Sequence, residues 1–258
     1  MPQLPDDTSV MLDWTSEQYQ PFFDALQSRE LTADSITQWL KEWSDMARMA
    51  EEAYARIYIA TSVDTTDVLA EKRFVNFNEN VLPVLMQVSN TLNQKLVASG
   101  LAPDGFEIPL RNIKAEIELF HVENLPLITQ LNNLGLEYDK IIGAQTVEWD
   151  GKEITLAQLT PIILSSDRPT RERAWMAAMK RGQQDREALN GLWVRMLETR
   201  IQIAKNAGFD NYLDYRWREL KRFDYTPENS VAFQNAIEEV VVPAAARLYE
   251  RHRQQLGY

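Results

Sequence analysis

Residues 36–50, ITQWLKEWSDMARMA, place apolar side chains three and four positions apart. This spacing puts them on one face of an α-helix, because a helical turn takes 3.6 residues. The pattern predicts a helix from about Thr32 to Ala60 with a core-facing stripe, rather than a cofactor site, formed by Ile36, Trp39, Leu40, Trp43, Met46, Ala47 and Ala50. With only 9 glycines and many helix formers in the chain, we expect helix on both sides of this stretch.

Two further helical stretches flank this one. The earlier stretch starts at Thr15, where Thr15 and Gln18 fit a capping box. The later one covers about Thr66 to Ser99; Pro83 predicts a kink or a break in it, and Gly100 predicts its end. The apolar stripe of the earlier helix is predicted to consist of Tyr19, Phe22, Phe23 and Leu26.

A fourth helical stretch is predicted from about Leu110 to Gly135 or beyond, and Pro126 leaves its continuity open. Residues 146–155 give the one β signal, because Asp150-Gly151 separates two short strand-like arms and supplies the positive φ angles of a tight turn. The predicted fold is therefore mainly α, a multi-helix array with long helices and one small β-hairpin near residues 146–155.

Asp167 and Pro169 predict the start of a long helix that ends at Ala207-Gly208. The face of this helix is predicted to carry Trp175, Met179, Gly182, Leu189, Trp193, Met196 and Ile203. A short helix is expected over about Tyr212 to Leu220. Thr226-Pro227 then predicts the start of a final helix, kinked at Pro243, with the apolar residues Val231, Ile237, Val240, Ala244, Leu248 and Tyr249.

Composition excludes several classes of function. The chain has no cysteine, which rules out disulfides, thiol nucleophiles and zinc ribbons.

The net charge is −11: residues 1–130 hold 20 acidic and 9 basic residues, whereas residues 131–258 hold 18 of each. An acidic half is unsuited to nucleic acid. No basic and apolar leader and no long apolar run is present, so we expect a cytoplasmic protein that binds neither nucleic acid nor membrane.

The residues that could perform chemistry are few. The only histidines are His121 and His252, too far apart in sequence for the His-Glu-x-x-His pair of a zinc peptidase. Glu118 and His121 have the Glu-x-x-His spacing of di-iron carboxylate bundles, but the second such motif is missing, since Tyr249 precedes His252. We therefore assign no catalytic, cofactor-binding or metal-binding residue in this chain.

Each charged cluster is interpreted from its predicted position on a helix. Arg168, Arg171 and Arg173 lie in a predicted first helical turn, where cations oppose the helix dipole. This favours salt bridges to acids elsewhere, with a carboxylate-binding site or a buried domain contact as alternatives. The adjacent pairs Glu51-Glu52 and Glu238-Glu239 point about 100° apart on a helix and are expected to be solvated.

The order of several segments resembles the oligoendopeptidase F branch of the thimet-oligopeptidase-like zinc metallopeptidases. The segments are Asp167–Trp175, Arg200, Ala204, Ala207–Tyr212, Asp214–Arg216, Phe223–Glu228 and Val240–Pro243, with Glu123–Leu127, Tyr138–Lys140 and Val147–Gly151 upstream. The resemblance covers at least residues 107–258. It implies a helical enzyme with a deep channel that cleaves short peptides at one zinc, whose ligands would lie beyond residue 258.

The resemblance divides the chain into two parts. Residues 1–165 are expected to form an N-terminal helical region with the hairpin, and residues 166–258 the first helices of a peptidase domain whose catalytic remainder is absent. We expect a truncated fragment that is inactive alone, holds no cofactor, contributes scaffold and a channel wall, and has short peptides and the missing catalytic half as partners. An apolar face made for that half is expected between Val240 and Leu248. The alternative is a stand-alone helical module, derived from a peptidase, that binds peptides or proteins.

Overall fold

The structure is a computed structural model, and it describes residues 1–257. It is mainly α-helical with one two-stranded sheet, as predicted. Two compact units divide between Tyr212 and Leu213. The predicted boundary after residue 165 stays a prediction. No helix in the described part of the chain combines the length and the apolar character that a membrane span needs.

The first unit begins with a short 3-10 helix, Thr8–Asp13, and then holds nine α-helices up to Asn206, with a hairpin between the sixth and the seventh. The helices are α1 (Ser16–Ser28), α2 (Ile36–Val63), α3 (Val68–Asn76), α4 (Leu82–Ser99), α5 (Glu107–Leu119), α6 (Asn124–Gly143), α7 (Leu156–Ile163), α8 (Arg168–Gln184) and α9 (Arg186–Asn206). The strands are β1 (Thr146–Trp149) and β2 (Lys152–Thr155).

The main core of this unit is built by the predicted stripes of α1 and α2. All four apolar residues of the α1 stripe are buried, as are Ile36, Trp39, Met46 and Ala50 of α2. The Thr15 capping box is present, with the Thr15 N–H donating to Oε1 of Gln18 at 2.9 Å. The capping box and the α1 stripe are therefore confirmed, and the α2 stripe is confirmed for four of its seven residues, since Leu40, Trp43 and Ala47 are half-buried.

The C-terminal end of α1 is held by a lysine from α4. The Lys95 ammonium donates to the carbonyls of Gln27, at 2.6 Å, and of Arg29. The indole N–H of Trp39 donates to the Leu26 carbonyl at 2.9 Å. These donors satisfy carbonyl groups that a helix end leaves without intrahelical partners, and a cation there also complements the helix dipole.

A π-helical segment, Phe77–Val81, joins α3 to α4, and the N–H of Leu82 bonds to the Phe77 carbonyl five residues back. This π segment is the interruption that Pro83 predicted. Proline lacks an N–H, and its ring clashes with the carbonyl four residues earlier in a regular α-helix. The wider π turn accommodates the proline with the helix continuing beyond it. Gly100, at φ 66°, ends α4 as predicted.

Two predicted helices are each split in the structure. The stretch expected from Leu110 to Gly135 is α5 and α6, separated at residues 120–123. The long helix expected from Asp167 to Ala207 is α8 and α9, which meet at Asp185. Pro126, which left the continuity of the first stretch open, lies in the first turn of α6 just after the break, whereas helical spacing continued through Asp185 and did not reveal the second break.

The β-hairpin has the predicted register, with Trp149 opposite Lys152 across the Asp150-Gly151 turn. Both turn residues have positive φ, 49° and 76°, the combination that a two-residue hairpin turn requires. One face of the hairpin packs on Leu159 of α7 and on Ala174 and Ala178 of α8. This packing supplies the support that an isolated hairpin would lack.

The second unit contains most of α10 (Tyr212–Glu219), followed by α11 (Pro227–Ala236) and α12 (Val242–Gln255). A second π segment, Ile237–Val241, joins α11 to α12 just before Pro243, which confirms the predicted disturbance at that proline. The Thr226 hydroxyl accepts the Asn229 N–H at 3.3 Å and caps α11 at the predicted start.

Candidate functional site

The two histidines lie in different compact units. His121 follows the end of α5, where its Nδ1 accepts the Glu123 N–H at 3.4 Å. His121 is half-buried and lies outside the helix. Because Glu118 is inside α5 and His121 is outside it, the Glu-x-x-His spacing does not place both residues on one helix face. His252 is exposed on α12.

No group of three or more His, Cys, Asp or Glu side chains that could hold a metal ion occurs among residues 1–257. The donor set described here therefore does not fit the three-ligand zinc centre of a hydrolase. Glu52 forms ion pairs along α2 with Arg56, at 2.7 Å, and Arg48, at 3.9 Å. Glu238 and Glu239 are exposed, as predicted.

The arginine cluster of α8 contacts the hairpin and the loop before α8. Arg173 pairs with Asp150 at 2.9 Å, and its guanidinium lies 3.9 Å from the centre of the Trp149 ring. Arg171 donates to the Ser165 carbonyl at 2.7 Å. The predicted salt bridge is thus found for Arg173, but its partner lies in a hairpin turn. The pairing holds the hairpin turn on α8.

A carboxylate lies at the junction of α8 and α9. The Asp185 Oδ2 accepts from Gln145 Nε2 at 2.9 Å and from Arg181 Nη1 at 2.5 Å. These two hydrogen bonds, Gln145 first, lower the pKa of Asp185 below its ordinary value because they stabilise the charged form. The junction thereby ties the segment after α6 to the start of α9.

Helix α9 has apolar residues on two sides. Leu192, Thr199 and Ile203 are buried on the side that packs against α6. On roughly the opposite side of the helix the structure exposes Trp193 (59%), Val194, Leu197 and Ile201. We call this set the α9 stripe.

The predicted core face of this region is therefore partly wrong. Trp175, Met179 and Trp193 were expected in the core, yet each is about half exposed or more. Small residues, Ala174 and Ala178, are buried in their place on α8. The predicted face also combined the two sides of α9, because Trp193 is exposed whereas Ile203 is buried on roughly the opposite side, and apolarity alone does not tell which side this part of the chain buries.

The second unit also exposes large apolar side chains. The region from Val240 to Leu248 was predicted to be an exposed apolar face, and this is confirmed, with Val240 67% and Leu248 46% exposed. None of the residues from Pro227 to Gln255 is buried. Other large exposed apolar side chains here are Val231, Phe233, Val241, Val242, Tyr249 and Leu256.

Sequence profiles match two parts of the chain. The profile described as peptidase M3 N-terminal domain matches residues 12–104, and the profile described as peptidase family M3 matches residues 162–257. Together the two matches take in well over half of the sequence. A search of curated protein sequences gives no significant match.

Solved structures match the chain over nearly all of its length. PZ peptidase A, solved with an inhibitor, is 25% identical with a TM-score of 0.86 over 100% of this chain and 46% of its own. Two proteins described as oligoendopeptidase F are also similar. One is 24% identical (TM-score 0.82; 98% of this chain, 44% of its own), and the other, from Bacillus anthracis str. Ames, is 20% identical (TM-score 0.81; 99% and 47%). The chain thus spans less than half the length of each of these three structures.

These findings define the class of this protein, which is mainly α-helical and has the fold of part of an oligoendopeptidase. The chain belongs to peptidase family M3. The resemblance seen in the segment order of the sequence is thereby confirmed, and with it membership in a family of peptide hydrolases.

Proposed function

We propose that this chain is the N-terminal part of a zinc-dependent metalloendopeptidase that cleaves short peptides. In the whole protein it provides scaffold and one wall of the substrate channel, while the zinc ligands come from residues outside these 258. Family membership and a share of less than half of each related structure support this proposal. For the location we propose the cytoplasm, since a cysteine-free chain suits a reducing compartment.

The observation that carries the proposal is the α9 stripe. Four large apolar side chains stand exposed opposite a side of the same helix that is already buried. Contiguous apolar surface of this kind marks an interaction site. A catalytic portion packed on the stripe would remove it from water, so we propose that the partner of this surface is the catalytic half of the same enzyme.

The experiment compares the purified chain with and without a catalytic portion from an M3 relative supplied as a second polypeptide. We expect the chain alone to bind no stoichiometric zinc by elemental analysis and to leave a quenched fluorescent short peptide uncut. The two polypeptides together are expected to co-elute, to hold one zinc per pair and to cleave the peptide faster than the catalytic portion alone. One tightly bound zinc on the isolated chain, together with peptidase activity, would refute the proposal.

A further inference from the structure

A groove of about 220 Å3 lies between α2 and α4, next to the π segment Phe77–Val81. Its α2 side follows the helical spacing from Trp43 to Tyr54, which is a length of about 16 Å at 1.5 Å per residue. Ala47 and Ala50 leave space at its middle. The walls are mostly apolar and include Trp43, Met46, Tyr54, Phe77, Leu85 and Met86.

One charged group lines this groove, the carboxylate of Glu51. Glu51 is exposed and forms no ion pair within residues 1–257, in contrast to its neighbour Glu52, which is paired with Arg56. No lysine or arginine is among the described residues that line the groove. Its charge is therefore negative and uncompensated, within a half of the sequence that carries 20 acidic and 9 basic residues.

Aromatic rings lie at both ends of the groove. The Tyr54 ring lies 5.2 Å from the Phe77 ring, and Tyr54 is one helical turn beyond Glu51. Trp43 lines the opposite end and lies 5.1 Å from the Trp39 ring. Electron-rich ring faces attract organic cations, and a carboxylate beside them adds an opposite charge.

From this arrangement we propose that the groove binds a small organic ammonium compound with an apolar tail. The ammonium group lies near Glu51 and Tyr54, and the tail extends over Ala50 and Ala47 toward Trp43. The occupant follows from charge complementarity: an anionic tail group would meet Glu51 with the same sign, and a neutral one would gain no charge attraction from it. This site is separate from the α9 stripe and does not depend on zinc chemistry.

The test measures binding of n-hexylammonium to the full chain by titration calorimetry, with n-hexanol and n-hexanesulfonate as probes of the same tail. We expect saturable one-to-one binding of the ammonium, roughly tenfold weaker binding of the alcohol, and none of the sulfonate. Glu51→Gln is expected to remove the preference for ammonium over alcohol. Glu52→Gln, one position along the same helix, is expected to preserve it.

A second variant tests the location. Ala47→Leu fills the middle of the groove with a good helix former. The chain is therefore expected to keep its circular dichroism spectrum and to bind n-hexylammonium and n-hexanol at least tenfold more weakly. Equal binding of alcohol and ammonium to the unmodified chain would overturn the proposal. So would an ammonium preference that persists in Glu51→Gln, unchanged binding in Ala47→Leu, or the absence of saturable binding of any probe.

Discussion

Asn206 donates its side-chain amide to Oδ1 of Asn124 across 2.9 Å, although the two residues are 82 positions apart in sequence. The Asn124 amide in turn donates to the Ile203 carbonyl at 3.0 Å. Asn124 is buried, with 2% of its surface exposed. One side chain at the start of α6 therefore holds the last turn of α9 by both its donor and its acceptor.

Replacing this side chain is expected to weaken the first unit. Asn124→Ala leaves the half-buried Asn206 amide and the Ile203 carbonyl with fewer partners, so the free energy of unfolding should fall by about 1–3 kcal/mol. Gln202→Ala serves as the control because its exposed amide bonds only with Asn206, and a change within about 0.5 kcal/mol is expected. Urea denaturation followed by circular dichroism measures both. Equal losses in the two variants would contradict the role given to Asn124.

Two glycines with open space around them should respond in opposite directions to alanine. Gly100 has φ 66° at the end of α4, whereas Gly191 lies inside α9, and a Cβ at either position would meet no atom within 4 Å. Gly100→Ala is expected to destabilise the fold by about 1 kcal/mol, because L residues pay a steric cost at positive φ. Gly191→Ala is expected to stabilise it by about 0.5–1 kcal/mol through helix propensity. Thermal denaturation gives the sign of each change.

Much of the fold could be predicted from the sequence because local rules agreed with tertiary packing. The capping boxes at Thr15 and Thr226, the Asp150-Gly151 turn and the stop at Gly100 depend on a few adjacent residues, and all are present. The break at residues 120–123 just precedes Pro126, a local signal, whereas the junction at Asp185 involves partners remote in sequence, such as Gln145. Spacing within a helix carries no information about such partners.

The surfaces that could serve a function were harder to predict. The exposed face near Val240 followed from the family resemblance and is confirmed, but Trp193 of the α9 stripe was placed on the predicted core face, because large apolar residues suit a buried face and an interaction surface alike. The groove beside Glu51 was missed as well. Its only signal in the sequence was a pair of alanines, Ala47 and Ala50, between larger apolar residues, and small residues there also suit close helix packing.

The hydrogen bonds that Asp185 accepts predict an acid-sensitive junction. The pKa of Asp185 is lower in the folded chain than its unfolded value near 3.8. The resulting stabilisation is present above that value and is lost as the pH falls through the folded-state pKa. Asp185→Asn should therefore lower the melting temperature at pH 7, with the difference from the unmodified chain shrinking below pH 3.8. A difference that stays constant from pH 7 to pH 3 would argue against this linkage.

The neighbours Leu192 and Trp193 provide a matched test of the two sides of α9. Leu192→Ala should cost about 2–5 kcal/mol, because Leu192 is buried and its truncation leaves a cavity. Trp193→Ser should change stability by no more than about 0.5 kcal/mol. The Trp193 variant should instead reduce self-association of the isolated chain in sedimentation velocity experiments. If the unmodified chain stays strictly monomeric at high concentration, the α9 stripe does not mediate self-association.

The π segment at Phe77–Val81 determines which side of α4 faces the core. Such a segment amounts to a one-residue insertion in a continuous helix, and one residue corresponds to a rotation of about 100°. Without the insertion, the side of α4 that carries Leu85, Leu92 and Leu96 would turn away from α1 and α2, where these residues pack now. Deleting one residue of this segment would therefore turn the apolar side of α4 by about 100° away from its present packing without changing any side chain of α4.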